Sequence, residues 1–324
     1  MVVRSPSMRW PLLRRISALV AAGATACAMF TTIPARAASL TVLVADEVAP
    51  YAEFVQQLRA LAADASPAEE ERAVAGVRTR SVRPGAAADI NVTIAVGVTA
   101  SRAAIERPGP DPLVLAMLTR LDYESLKSQP AFRRSDRRVG VLLRDPSMAD
   151  QLALVDAVLP RKRRLGVVAT AESEPLLREL QRAAQGWELQ IEYAPDAKSL
   201  AAALRSVLPR SDALMVLPDL IGDNQAATLA VLRAGAGAGL PVFGASEGLV
   251  RSGGLAAVVS TPSQLAQQAR ALAQKLVASG TGSASALVEA AAPATVRVNA
   301  TVARGLGLRL PNERELTERV TALR

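Results

Sequence analysis

The chain has no histidine, and its one cysteine is Cys27. Without histidine there is no Ser-His-Asp triad, no H-E-x-x-H zinc site and no Cys/His zinc site. That argues against most hydrolases and metalloenzymes, so no catalytic residue, metal or cofactor is expected. A single cysteine closes no intrachain disulfide. Aromatic residues make up only 3% of the 324 residues. Half of the residues are apolar, mostly Ala, Leu and Val. The core is therefore expected to be small and aliphatic, which favours helices packed closely on a sheet. No nucleotide fingerprint is found. The glycine run Ala234 to Gly239 lies at a helix end before a strand, where a C-cap and loop explain it.

What is present begins with a targeting segment, residues 1–37. Arg4, Arg9, Arg14 and Arg15 form a basic head. Ile16 to Phe30 is an apolar run of 15 residues, too short for a comfortable membrane span. Ala35-Arg36-Ala37 is a small-x-small cleavage site, so the mature chain is expected to start at Ala38. Ile16-Ser17-Ala18 after Arg14-Arg15 is a poor twin-arginine match. Ala24-Thr25-Ala26 before Cys27 lacks the leucine of a lipoprotein signal.

Removing this segment changes the charge balance. It carries five of the 38 basic residues and no acidic one, leaving 33 basic against 30 acidic. No nucleic-acid partner is implied. Arg133-Arg134, Arg137-Arg138 and Arg161-Lys162-Arg163-Arg164 are short clusters without aromatic neighbours. They read as solvated loops or strand starts, with a docking surface as the sharper alternative.

The length suits two lobes of about 130–150 residues each. Strands are expected at 40–45, 77–82, 91–96, 113–118, 138–143, 165–169, 188–193, 213–217 and 241–243. Helices are expected at 49–63, 99–105, 146–159, 174–185, 197–208, 223–236 and 262–278. Residues 288–299 read as one or two strands. Repeated β-α units with short connections predict parallel sheets covered on both faces. Ligands in such folds sit at the carboxyl ends of the strands.

Four runs in the second half carry a family pattern: VLPRKRRLGVV (158–168), DALMVLPDLIG (212–222), LPVFGASEGLVRSGGL (240–255) and NATVARGLGLRLP (299–311). In that order they closely resemble substrate-binding proteins of ABC importers with the type I periplasmic-binding fold. The likeness is to the branch associated with aromatic amino acids and similar small solutes. NVTIAVGVTASRAAI (91–105) and PLVLAML (112–118) resemble the first lobe of the same family. Between Val77 and Asn91 one β-α unit is abbreviated or absent. TRLDYESLKSQPAF stands where the family carries D-P-V-x-A-G-L, and Leu217-Pro218-Asp219-Leu220 stands where it carries P-P-D-N.

The resemblance implies an α/β protein of two Rossmann-like lobes joined by a hinge. After the signal segment 1–37, the lobes are expected at 38–143 and 144–290, with a crossover and tail at 291–324. It further implies a periplasmic, non-enzymatic protein that carries a small solute, an amino acid among the candidates, to an ABC permease. The alternative is a degenerate binding fold that docks on another envelope protein.

The candidate ligand-binding residues are Thr99, Met117, Thr170, Glu172, Asp219, Ser246 and Glu247. Thr99 is expected to open a helix, where its hydroxyl and the free amides suit a carboxylate, or to serve as a plain N-cap. Asp219, just past a strand, suits an ammonium group or forms a turn. Ser246 and Glu247 lie on a strand-to-helix turn, either binding or capping. Thr170 and Glu172 follow a strand in the same geometry. Met117, with Leu220 and alanines, is expected to line the pocket. Trp187 is expected to pack at a lobe edge.

Overall fold

The computed structural model describes residues 38–46, 48–63, 69–74, 77–82, 90–133, 137–279, 285–293 and 295–322. The expected targeting segment and Cys27 lie outside the described residues. Among the described residues no helix is long and apolar enough to cross a membrane.

The first lobe opens with β1 (Ala38–Val44), α1 (Ala49–Ala63), β2 (Glu69–Val74), β3 (Val77–Val82) and β4 (Ile90–Val96). It continues with α2 (Gly97–Glu106), β5 (Leu113–Leu118), α3 (Arg120–Ser128), α4 (Pro130–Arg133) and β6 (Val139–Pro146). The second lobe follows as α5 (Met148–Val158), β7 (Arg164–Ala169), α6 (Glu174–Ala183), β8 (Glu188–Tyr193) and α7 (Ala197–Val207). Next come β9 (Ala213–Val216), α8 (Gln225–Ala238), β10 (Val242–Gly244), α9 (Glu247–Arg251) and β11 (Ala256–Val259). The chain ends with α10 (Pro262–Ala278), β12 (Leu287–Ala291), β13 (Thr295–Val298), α11 (Ala300–Gly305) and α12 (Glu313–Ala322).

Two sheets result, ordered β12-β6-β5-β4-β1-β3-β2 and β13-β11-β10-β9-β7-β8. Both are mainly parallel, as the β-α rhythm predicts. The central strands read as apolar runs, LVLAML in β5 and ALMV in β9, because helices cover both faces. The cores are aliphatic, and Phe54 and Phe243 are the largest wholly buried side chains.

Two departures from the sequence reading matter. The acidic stretch before Val77 contains β2, which pairs antiparallel with β3, and β3 runs antiparallel to β1. A hairpin thus forms this edge of the first sheet. Residues 262–290, expected within the second lobe, build the first: α10 packs its Leu265, Ala269 and Leu272 among Phe54, Ile94 and Val114, and β12 pairs with β6. Residues 288–299 are two strands, one in each sheet. The chain therefore crosses between lobes after β6, after β11 and after β12, so three segments join them.

The first crossing is well tied. Ser147 caps α5 in a reciprocal box with Asp150. Glu179 of α6 accepts from the backbone N–H of Met148 at 3.0 Å and from Arg120 Nε of α3 at 3.1 Å. One carboxylate therefore ties both lobes together beside the hinge.

The basic run 161–164 is a solvated strand start whose charges are paired locally. Lys162 and Arg164 pair with Asp212, and Arg163 pairs with Asp156. Arg164 holds the Asp212 carboxyl well below its ordinary pKa, mainly through its side-chain hydrogen bond. Arg163 also lies 5.4 Å from the centroid of the Trp187 ring, which is half-buried against the second core.

Candidate functional site

The carboxyl ends of the two sheets bring together a shallow pocket that is open to solvent. The first lobe contributes Arg144 and Asp145, the last charged residues of β6. The second contributes Leu217, Pro218, Gly222 and Asp223 from the loop after β9, and Ala245 and Ser246 after β10. Arg144 spans the gap. Its Nη2 is 3.4 Å from Asp223 Oδ1, and its Nε is 3.5 Å from Asp145 Oδ2.

The electrostatics are uneven. Asp145 Oδ2 is buried and has no well-formed hydrogen bond. Burial pushes the Asp145 carboxyl up to about 6; the Arg144 charge opposes this, Asp223 adds to it, and the long Arg144 contact lowers it a little further. Burial also disfavours the Arg144 charge, but Asp145 and Asp223 outweigh that and raise its pKa. Behind Arg144 stands Tyr51 of α1, whose phenol is raised first by burial, against the Arg144 charge, and then by Asp122 and Asp46. The Tyr51 ring covers Gly97. That residue has a φ of 81°, and a Cβ there would meet the ring at 2.7 Å. Only glycine accommodates both the left-handed backbone and the ring.

The seven candidates from the sequence fare differently. Ser246 lines the pocket, and its side chain also caps α9 by accepting from the Leu249 N–H at 3.1 Å. Thr99 is not a cap: α2 begins at Gly97 with Val96 at the N-cap, because the chain turns into the helix at the left-handed glycine. Thr99 sits exposed in the first turn. Met117 does not line the pocket. It is 4% exposed within the first core, at a β5 irregularity where its own φ is 62°. Leu220, expected beside it, is exposed.

Asp219 is buried and fully engaged. It accepts from Ser173 Oγ, from the Ile221 N–H at 2.9 Å and from the Gly222 N–H at 3.1 Å. Burial still raises its pKa against those donors. The turn it closes is so tight that a Cβ on Gly222 would lie 2.1 Å from the Leu217 carbonyl oxygen. Asp219 is thus a turn former, because its lone pairs already serve the fold. Thr170 is buried and paired with Ser173, while Glu172 projects from the short 3₁₀ turn 171–173 into solvent. Glu247 is held by Arg251 at 3.3 Å and Arg297 at 3.8 Å, so it braces α9 against β13.

Arg144, Asp145, Asp223 and Tyr51 were missed by sequence reasoning. The signal available was the pair Arg144-Asp145, which breaks an apolar strand directly before Pro146. Among the described residues no group of three His, Cys, Asp or Glu side chains is arranged to hold a metal ion.

The sequence matches the family described as ABC transporter substrate binding protein over residues 78–318. The chain belongs to that family. Membership implies a small-molecule ligand and a permease partner. No curated protein matches the chain. Among solved structures, an ABC domain in complex with L-Trp from Streptococcus pneumonia is 14% identical, with a TM-score of 0.53. The match covers 88% of this chain and 98% of that one. A substrate-binding protein with adhesive properties from Clostridium difficile, in its ligand-free, open form, is 18% identical with a TM-score of 0.54. There the match covers 68% of this chain and 75% of the other. A conserved domain protein from Vibrio cholerae is 20% identical over 83% of this chain and 82% of that one, with a TM-score of 0.49. The Streptococcus and Clostridium likenesses establish the two-lobed type I periplasmic-binding fold.

Proposed function

We propose that the protein is exported and serves as the solute-capturing component of an ABC importer, holding a small solute between its lobes and acting by binding alone. The observation that carries this reading is the pocket between the carboxyl ends of both sheets, lined by Arg144 and Asp145 from one lobe and Asp223 and Ser246 from the other. A ligand touching both lobes gains its contacts only when they close, which is how binding is coupled to hinge motion. The L-Trp held by the Streptococcus relative supports a solute of amino-acid size. The signal-like residues 1–37 support export. Ligand-induced thermal stabilisation across a panel of amino acids, amines, organic acids and sugars tests the reading. A shift with at least one class is expected. No shift with any class, together with recovery of a different envelope complex in a pull-down, would overturn it.

A further inference from the structure

The next inference rests on the proposed solute-binding cleft and concerns which solute fits it. The ionisable groups lining the pocket are Arg144, Asp145 and Asp223, one cation against two carboxylates. Arg144 serves neither carboxylate closely, at 3.5 Å and 3.4 Å. Charge-assisted pairs ordinarily close to about 2.7–2.9 Å. The buried Oδ2 of Asp145 faces only that long Arg144 contact and has no well-formed hydrogen bond, although buried polar atoms are rarely left so poorly paired without reason.

The surrounding charges do not correct the balance. Asp122 and Asp46 act on Tyr51, and Asp122 acts on Asp145 as well. On the hinge side of Asp145, Arg120 is already paired with Glu179 at 3.0 Å. Beside Ser246, Glu247 is held by Arg251 and Arg297. The pocket is short of positive charge.

The geometry points to a small cationic solute, a primary amine or a guanidinium, seated with its charged group on Asp145 Oδ2 and Asp223. Val216, Leu217, Pro218 and Leu249 supply an apolar wall for an aliphatic stem. None of the pocket's lining residues is aromatic, so an indole or phenol ring would find no face to stack on. The carboxyl raised to about 6 at Asp145 agrees with this, since burial and neighbouring negative charge oppose its ionisation until a cation arrives.

Isothermal calorimetry on the purified protein tests the assignment with putrescine, agmatine and L-lysine as cations. L-tryptophan serves as the neutral zwitterion, and L-glutamate and succinate serve as acids. The cations are expected to bind best. Asp145→Asn and Asp223→Asn should each weaken putrescine about tenfold or more, the scale of one charge-assisted contact. Asp223 is 59% exposed at its side chain, so the second variant keeps the fold. Arg144→Gln should tighten putrescine, because a competing cation is gone. Preferred binding of L-tryptophan, L-glutamate or succinate would overturn the assignment, as would loss of putrescine binding in Arg144→Gln. Those results leave the solute-binding reading standing. Silence from every solute in this panel would overturn the cationic assignment, while the solute-binding reading falls only if the wider thermal panel is silent and the pull-down recovers a different complex.

Discussion

Asp145 and Asp219 each stand at the carboxyl end of a parallel strand, β6 in one sheet and β9 in the other, and each is mostly or wholly removed from water. They have opposite fates. Asp219 accepts three hydrogen bonds and closes the turn that carries Gly222 and Asp223. Asp145 has only a distant guanidinium, and its buried Oδ2 has no well-formed hydrogen bond. A carboxylate at a strand end is thus not a site by position alone. What decides is whether the local backbone has already used its lone pairs.

That contrast can be broken or sharpened by substitution, beginning with the largest effect. Asp219→Ala strands the Ile221 and Gly222 amides and the Ser173 hydroxyl. It should cost about 3 kcal/mol of stability in urea denaturation. A cost near zero would erase the distinction between the two aspartates.

Asp145→Asn should act with the opposite sign. The folded carboxyl titrates near 6 against an ordinary 3.8, so the native state holds its proton more tightly than the unfolded chain. Stability from this group is therefore full below about pH 4 and declines as pH rises through 6. The variant should gain about 1–3 kcal/mol over the wild type at pH 7.5, and the gain should vanish below about pH 4. The upper figure assumes no relief from the fifth of the side chain open to solvent, where the exposed fraction is 19%. Paired urea midpoints across pH check both the sign and the window.

Ser173→Ala removes one of three donors from Asp219. It should cost about 1 kcal/mol by the same measurement. Asp223→Asn is the smallest, within about 0.5 kcal/mol in stability because the group is exposed. Its effect should appear instead as a lowered Asp145 pKa, since Asp223 raises that value.

Much of the scaffold was legible in the sequence. Apolar runs such as LVLAML and the helical spacing of Phe54, Val55 and Leu58 report burial directly, and burial organises this fold. Strand β2 was not legible, because Glu69–Val74 is acidic and polar at a sheet edge and lacks the apolar pattern of a central strand. Nor was the return of α10 and β12 to the first lobe, since nothing in a local pattern says which sheet a strand joins.

The site was less legible for a related reason. Asp219, Ser246 and Glu247 stand at turns with recognisable local chemistry, and Asp219 closes its turn while Ser246 caps α9. Arg144 and Asp145 fell between a strand and a helix cap. Their importance depends on Asp223, distant in sequence and brought near by the second lobe. Charge imbalance across a cleft is a tertiary property, and neither partner shows it alone.

The most direct test of this account is the titration of Asp145 itself, followed by carboxyl-carbon NMR in the free protein and with saturating putrescine. A midpoint near 6 in the free protein, moving down when the amine is added, is the predicted result. A midpoint at the ordinary carboxylate value, unchanged by the amine, would contradict it.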